Sequence, residues 1–158
     1  PEIVVGGGLG SQLRVFGTNR ALLHQVDVGG VNLAVRSGGI QASPALSDLN
    51  QDGVLDVTVA STNNVLAAYT FKSNAVTQLW RRQDAPLVSN GPTGMIATPA
   101  TGYVNGDGHP DVVTASWGQA LGASSGSTVE AIQGRTGAAP LRAGACPPPQ
   151  AFVKEGDH

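Results

Sequence analysis

The stretch Asp48-Leu49-Asn50-Gln51-Asp52-Gly53-Val54-Leu55-Asp56-Val57-Thr58-Val59-Ala60 decides how this chain folds. Side-chain oxygens fall at positions 1, 3, 5 and 9 of a loop that starts at Asp48, and glycine falls at position 6. A hard cation such as Ca²⁺ takes about six to eight oxygens from a flexible cage. Alternate residues of a tight loop can present several of them to one centre, and Gly53 permits the sharp turn. Asp48, Asn50, Asp52 and Asp56 would supply side chains, and Val54 its backbone carbonyl. An EF-hand needs a bidentate Glu at position 12 with a helix behind it. Here position 12 is Val59, inside Asp56-Val57-Thr58-Val59-Ala60, which alternates as a β-strand does. The stretch reads as a calcium loop between two strands, closed by Asp56.

The frame recurs. Tyr103-Val104-Asn105-Gly106-Asp107-Gly108-His109-Pro110-Asp111 runs into Val112-Val113-Thr114-Ala115, and a third copy of the strand opens the chain as Glu2-Ile3-Val4-Val5. The closing acids Glu2, Asp56 and Asp111 lie 54 and 55 residues apart. The lead-ins also match, Ala42-Ser43-Pro44-Ala45 against Ala97-Thr98-Pro99-Ala100. A fixed period with strands in each unit is the signature of a repeat architecture. In the second loop the ligand set would be Asn105, Asp107, the His109 carbonyl and Asp111, with Tyr103 where the first loop has an acid.

The shared pattern, S/T-P-A followed by D-x-N-x-D-G-x-x-D-V-x-V-A, resembles the FG-GAP repeats of integrin α-subunit-like β-propellers and their bacterial relatives. The resemblance covers nearly the whole chain as three units, the first without its calcium loop. It implies an all-β fold of four-stranded antiparallel blades, about three here, with calcium at the loop between the first two strands of a blade. It does not fix a function, because members of the family include adhesion receptors, lectins and polysaccharide-degrading enzymes. The units would be residues 1–41, 42–96 and 97–144, followed by a tail or extra strand at 145–158.

Bulk composition agrees with a chain of short strands. Charged residues make up 13% and aromatics 4%, with 22 Gly and 10 Pro among 158 residues. Hydrophobic residues reach 41% in periodic runs, which argues against disorder. Net charge is −2 and the only lysines are Lys72 and Lys154, so the clustered cations of a nucleic-acid surface are missing. No apolar run approaches the roughly 20 residues of a membrane-spanning helix. A single cysteine, Cys146, makes no internal disulfide. The chain starts at Pro1 rather than Met, which suits either a mature product or a fragment; calcium loops of this kind suit the high free calcium outside cells, so we expect an exported protein.

Read in order, residues 2–5, 12–16 and 21–26 form strands. The glycine-rich turn Gly6-Gly7-Gly8-Leu9-Gly10-Ser11 superficially matches a dinucleotide fingerprint, but that motif needs a helix directly behind it, and the stretch 12–20, with Val15, Phe16, Gly17, Thr18 and Asn19, is a poor helix; the sixth position is also Ser11 rather than Gly. The second unit has strands near 43–49, 56–60, 65–71 and 77–81, and the third near 99–104, 111–115, 128–133 and 141–143. Trp80 reads as packing between blades rather than a ligand platform. Residues 28–41 and 84–95 join one unit to the next, and a Gly/Ser-rich insertion at 118–127 follows Trp117.

Nothing in the chain assembles a nucleophilic triad: His24, His109 and His158 are scattered, and the acids outside the loops (Asp27, Asp84, Glu130, Glu155, Asp157) form no paired motif. We therefore expect a calcium-stabilised extracellular propeller segment for adhesion or for binding a protein or glycan, with no role for nucleic acid. Two other readings are the propeller portion of a polysaccharide-degrading or quinoprotein-like enzyme, and a structural subunit of a surface assembly or fibre. Three units do not close a ring of the usual four to eight blades, so the expectation includes self-association or the remainder of a longer propeller. Three carboxylates against two predict tighter calcium binding in the first loop than in the second.

Overall fold

The computed structural model describes residues 2–7, 10–29, 39–62, 65–72, 75–83, 97–116 and 128–138. Every element among them is a strand: β1 (Ile3–Gly6), β2 (Gln12–Phe16), β3 (Leu22–Asp27), β4 (Ala45–Ser47), β5 (Asp56–Ala60), β6 (Val65–Lys72), β7 (Ala75–Gln83), β8 (Ala100–Gly102), β9 (Asp111–Ser116) and β10 (Thr128–Ile132). They form three antiparallel sheets in the orders β1-β2-β3, β4-β5-β6-β7 and β8-β9-β10. Each sheet is a meander of sequential strands, as in a propeller blade. The middle blade has the expected four strands. In the first blade, β1 takes the place of β5. The expected last strand of the third blade, at 141–143, lies outside the described residues, as do the insertion at 118–127 and the linker at 84–95.

The middle blade is buried on both sides, and its sequence shows why. Val57, Val59, Val65, Ala67 and Tyr69 face the first blade, where they meet Leu13, Val28 and Ile40. The intervening residues Ala60, Leu66 and Ala68 face the third blade and meet Val112 and Ile132 together with Leu49 and Trp80. A strand buried on both faces needs apolar side chains at nearly every position, and β6 supplies them as Val65-Leu66-Ala67-Ala68-Tyr69. The small Ala67 and Ala68 let neighbouring sheets approach. His24 of β3 stacks at a tilt on Phe71 of β6, with ring centroids 5.4 Å apart, so this histidine belongs to the interface of the first two blades.

A bulge in β7 sets the other interface. Ala68 pairs with Trp80 and Tyr69 with Gln78, which leaves Leu79 as the extra residue. Without it, Trp80 would fall opposite Ala67 and face the first blade. With it, the indole turns to the third blade, since one inserted residue exchanges the two faces of a strand. Trp80 is buried there, and its Nε1–H donates to the carbonyl of Gly134 in the turn after β10. This places Trp80 in blade-to-blade packing, as the sequence reading expected.

The inner strands β4 and β8 are shorter than their sequence suggests. Leu49 N–H donates to the Asp56 carboxylate at 2.9 Å, and Val104 N–H to the Asp111 carboxylate at 3.0 Å. Those amides are taken by side chains of the loop instead of a sheet ladder, so the strands stop at Ser47 and Gly102. At the inner edge, Ser43 N–H donates to Thr98 Oγ1 at 3.3 Å, and β4 lies beside β8.

Candidate metal centre

Both candidate loops join the first two strands of a blade, and they share one backbone. Gln51 and Gly53 have φ of 59° and 84°, and the matching Gly106 and Gly108 have 76° and 83°. The left-handed conformation at loop positions 4 and 6 suits glycine; Gln51 adopts it without being one. Its side chain repays the strain by reaching the neighbouring blade, where Nε2 donates to Gly108 O at 2.6 Å. The two loops are thus adjacent and tied together.

In the 48–56 loop, Asp48 Oδ1 accepts from Asp52 N–H and Asp48 Oδ2 from Gly53 N–H, both at 2.9 Å. Asn50 Oδ1 accepts from Asp52 N–H at 3.0 Å and Asp52 Oδ1 from Val54 N–H at 2.9 Å. Asp52 Oδ2 receives the Lys72 ammonium at 3.1 Å. That ammonium, then the Val54 N–H, holds the Asp52 carboxyl below the ordinary range. Asp56 is fully buried, and burial pushes its carboxyl up against the opposing pull of the Thr70 hydroxyl and the N–H groups of Leu49 and Asn50. The hydroxyl lies close enough to favour the charged form but makes no full hydrogen bond, and Asp56 Oδ1 has no donor.

The 103–111 loop repeats this plan. Asn105 Oδ1 accepts from Asp107 N–H and Asp107 Oδ1 from His109 N–H, each at 2.8 Å. The His109 N–H, followed by the Asn105 side chain, lowers the Asp107 carboxyl. Asp107 Oδ2 receives the neutral amides of Asn105 at 2.9 Å and Gln133 at 3.5 Å. Asp111 is fully buried; its Oδ2 accepts from Val104 and Asn105 N–H at 3.0 and 3.1 Å, and its Oδ1 has no donor. Tyr103 is 68% exposed.

The donor set is all oxygen, as a hard cation requires. Each loop also holds a buried carboxylate oxygen without a partner, which is rare unless an ion or water satisfies it. Asp48, Asp52 and Asp107 already accept backbone N–H groups, yet a carboxylate has about four acceptor sites and keeps capacity for a cation. Among the described residues, no group of three or more His, Cys, Asp or Glu side chains is drawn together as a metal cluster. The residues fit calcium by chemistry and by the unpaired oxygens of Asp56 and Asp111, while their other oxygens are engaged by N–H groups and Lys72. Sequence reading missed Lys72, Thr70 and Gln133. The hairpin register would have found two of them, since pairing Val57 with Tyr69 and Val112 with Ile132 puts Thr70 opposite Asp56 and Gln133 opposite Asp111.

At the other end of the blades, Gly39 and Ile40 sit between two strand-joining loops. Ile40 N–H donates to Gly7 O at 3.1 Å, and Thr62 N–H donates to Gly39 O at 3.0 Å. The described end of the 28–41 linker therefore lies opposite the candidate metal loops.

Sheets of sequential antiparallel strands, packed face to face around repeated loops, define the molecule as a run of β-propeller blades. The family model of the FG-GAP-like repeat matches residues 48–114, a stretch that contains both loops. Among solved structures, the C-terminal domain of Pseudomonas aeruginosa PilY1 shares the fold with a TM-score of 0.59 at 18% identity, over 87% of this chain. The chain spans 29% of that structure's length. No curated protein matches it in sequence.

Proposed function

We propose that the chain is a calcium-stabilised β-propeller segment of an extracellular or cell-surface protein, used for adhesion or for binding a protein or glycan. One observation carries the calcium reading: both loops, built alike 55 residues apart, end in a buried aspartate with an unpartnered oxygen, Asp56 and Asp111. Calcium would be held by Asp48, Asn50, Asp52, Val54 O and Asp56 in one loop, and by Asn105, Asp107, His109 O and Asp111 in the other. Its role would be structural, neutralising carboxylates crowded into a tight turn. The surface location is supported by the FG-GAP-like repeat, a type common in such proteins. Ligand contact belongs at the blade end opposite the metal, where loops are free of that duty and sit on a rigid scaffold.

Calorimetric titration of metal-stripped protein with CaCl2 tests the first part. Two sites are expected, and a chelator should lower the melting temperature, since a ligand specific to the folded state stabilises it. No heat together with no change in melting would overturn the calcium reading. Glycan-array binding tests the second part. A building block of a surface assembly is the second reading, supported by aliphatic side chains on the outward faces of the end blades: Ile3 and Val5 on one, Val129 on the other, all exposed. Ordered self-assembly in sedimentation experiments would favour it.

A further inference from the structure

We propose that Lys72 is a built-in competitor for the cation at the 48–56 loop, and that it cancels the advantage which a third carboxylate would give this loop over its neighbour. The inference rests on the calcium reading above and adds to it the residue that sets the balance between the two loops. Lys72 ends β6, the strand that pairs with β5 just behind the loop. Its Nζ lies 3.1 Å from Asp52 Oδ2, at the centre of the candidate ligand set. Among the described residues, the corresponding carboxylate oxygen of the second loop, Asp107 Oδ2, meets only neutral amides, from Asn105 and Gln133.

The charges make the consequence definite. Asp48, Asp52 and Asp56 with the Lys72 ammonium sum to −2, and Asp107 with Asp111 also sum to −2. Ligand charge is a main determinant of calcium affinity in one loop geometry. A divalent ion held by Asp52 would sit against a fixed positive charge, so the ammonium must swing into solvent before the ion is bound fully. The four-carbon stem of lysine allows that movement, and the Lys72 side chain is already 53% exposed. Such half-exposed pairs are weak and screened by salt, so the competition tunes affinity without abolishing binding.

The test uses the full chain in an Asp107→Asn background, so that CaCl2 reports on the 48–56 loop, and compares it with Lys72→Met and Lys72→Arg at low ionic strength. Lys72→Met is expected to tighten calcium binding by about two- to fivefold, the range given by an exposed ion pair. Lys72→Arg should stay near the starting value, and added salt should shrink the Met effect. In chelator, Lys72→Met should melt below its parent, because three carboxylates are left without the ammonium; in saturating calcium that deficit should vanish. Unchanged or weaker binding by Lys72→Met would overturn the inference while leaving the calcium reading intact. Absence of calcium heat in the native chain and in every variant would overturn both.

Discussion

Replacing Trp80 with phenylalanine tests how the second and third blades are clasped. The indole is buried between them, with Nε1–H on Gly134 O, and it lies so close to Gly137 that a Cβ there would come within 2.8 to 3.0 Å of the indole atoms Cδ2, Cγ and Cε3. Phenylalanine keeps a ring on the same face but removes the donor. The Gly134 carbonyl is then left buried without its partner, a loss of about 1–3 kcal/mol. The missing ring atoms leave a small void worth about 1 kcal/mol more. Together these give about 2–4 kcal/mol, and at about 2–4 °C per kcal/mol for a chain of this size the melting temperature should fall by about 4–16 °C. Trp80→Ala should fall further, since truncating a buried aromatic costs about 3–5 kcal/mol before the hydrogen bond is counted. Thermal and urea melts followed by circular dichroism provide the measurement. If Trp80→Phe melts within about 1 °C of native, the indole is not the clasp and the interface is held by the aliphatic residues alone.

Gly134→Ala attacks the same interface from the other side: the new Cβ would lie 2.1 Å from Pro110 O and 2.8 Å from Leu49 Cδ2, so melts should report a loss of about 1–3 kcal/mol. At Gln51, alanine loses the bridge to Gly108 and keeps the left-handed backbone, while glycine loses the bridge and relieves the strain; Gln51→Ala should melt below Gln51→Gly by about 1 kcal/mol. Tyr69 is buried, and burial, with Asp27 adding and Arg81 opposing, raises its phenol above the ordinary 10.0. Because the folded value is the higher one, the stability Tyr69 contributes is complete below pH about 10 and is lost as pH rises through the folded value. Melts taken from pH about 9 to 11 should therefore show a decline that Tyr69→Phe reduces.

Much of the architecture was legible because repetition made it so. The alternation in β5 and β9 and the oxygen spacing of the two loops located the middle of each blade, and β2 matched its expected bounds, Gln12–Phe16. What escaped reading was decided by contacts between units. The bulge at Leu79 has no signature in Gln78-Leu79-Trp80; only the packing of the indole on Gly134 and Gly137 explains it. The early end of β4 follows from an amide captured by Asp56, seven residues away. Lys72 figured in the sequence only as one of two lysines, because its meaning depends on the fold-back that brings it to Asp52. Carboxylate counting ranked the two loops without knowing that a cation was already attached to one of them.

The hydrogen bonds between the second and third blades have a common sequence separation. Ser43 to Thr98 and Arg82 to Gly137 span 55 residues, Trp80 to Gly134 spans 54, and Gln51 to Gly108 spans 57. The second blade is thus stapled to the third by residues one period away, and the two buried clusters likewise join only adjacent blades. Energetically this is a nearest-neighbour chain, in which stability is the sum of unit terms and interface terms. The middle blade holds both interfaces, so an insult there is felt twice, whereas damage to an end blade is felt once. Hydrogen exchange should accordingly proceed inward from the ends, with the amides of β5 and β6 the last to open.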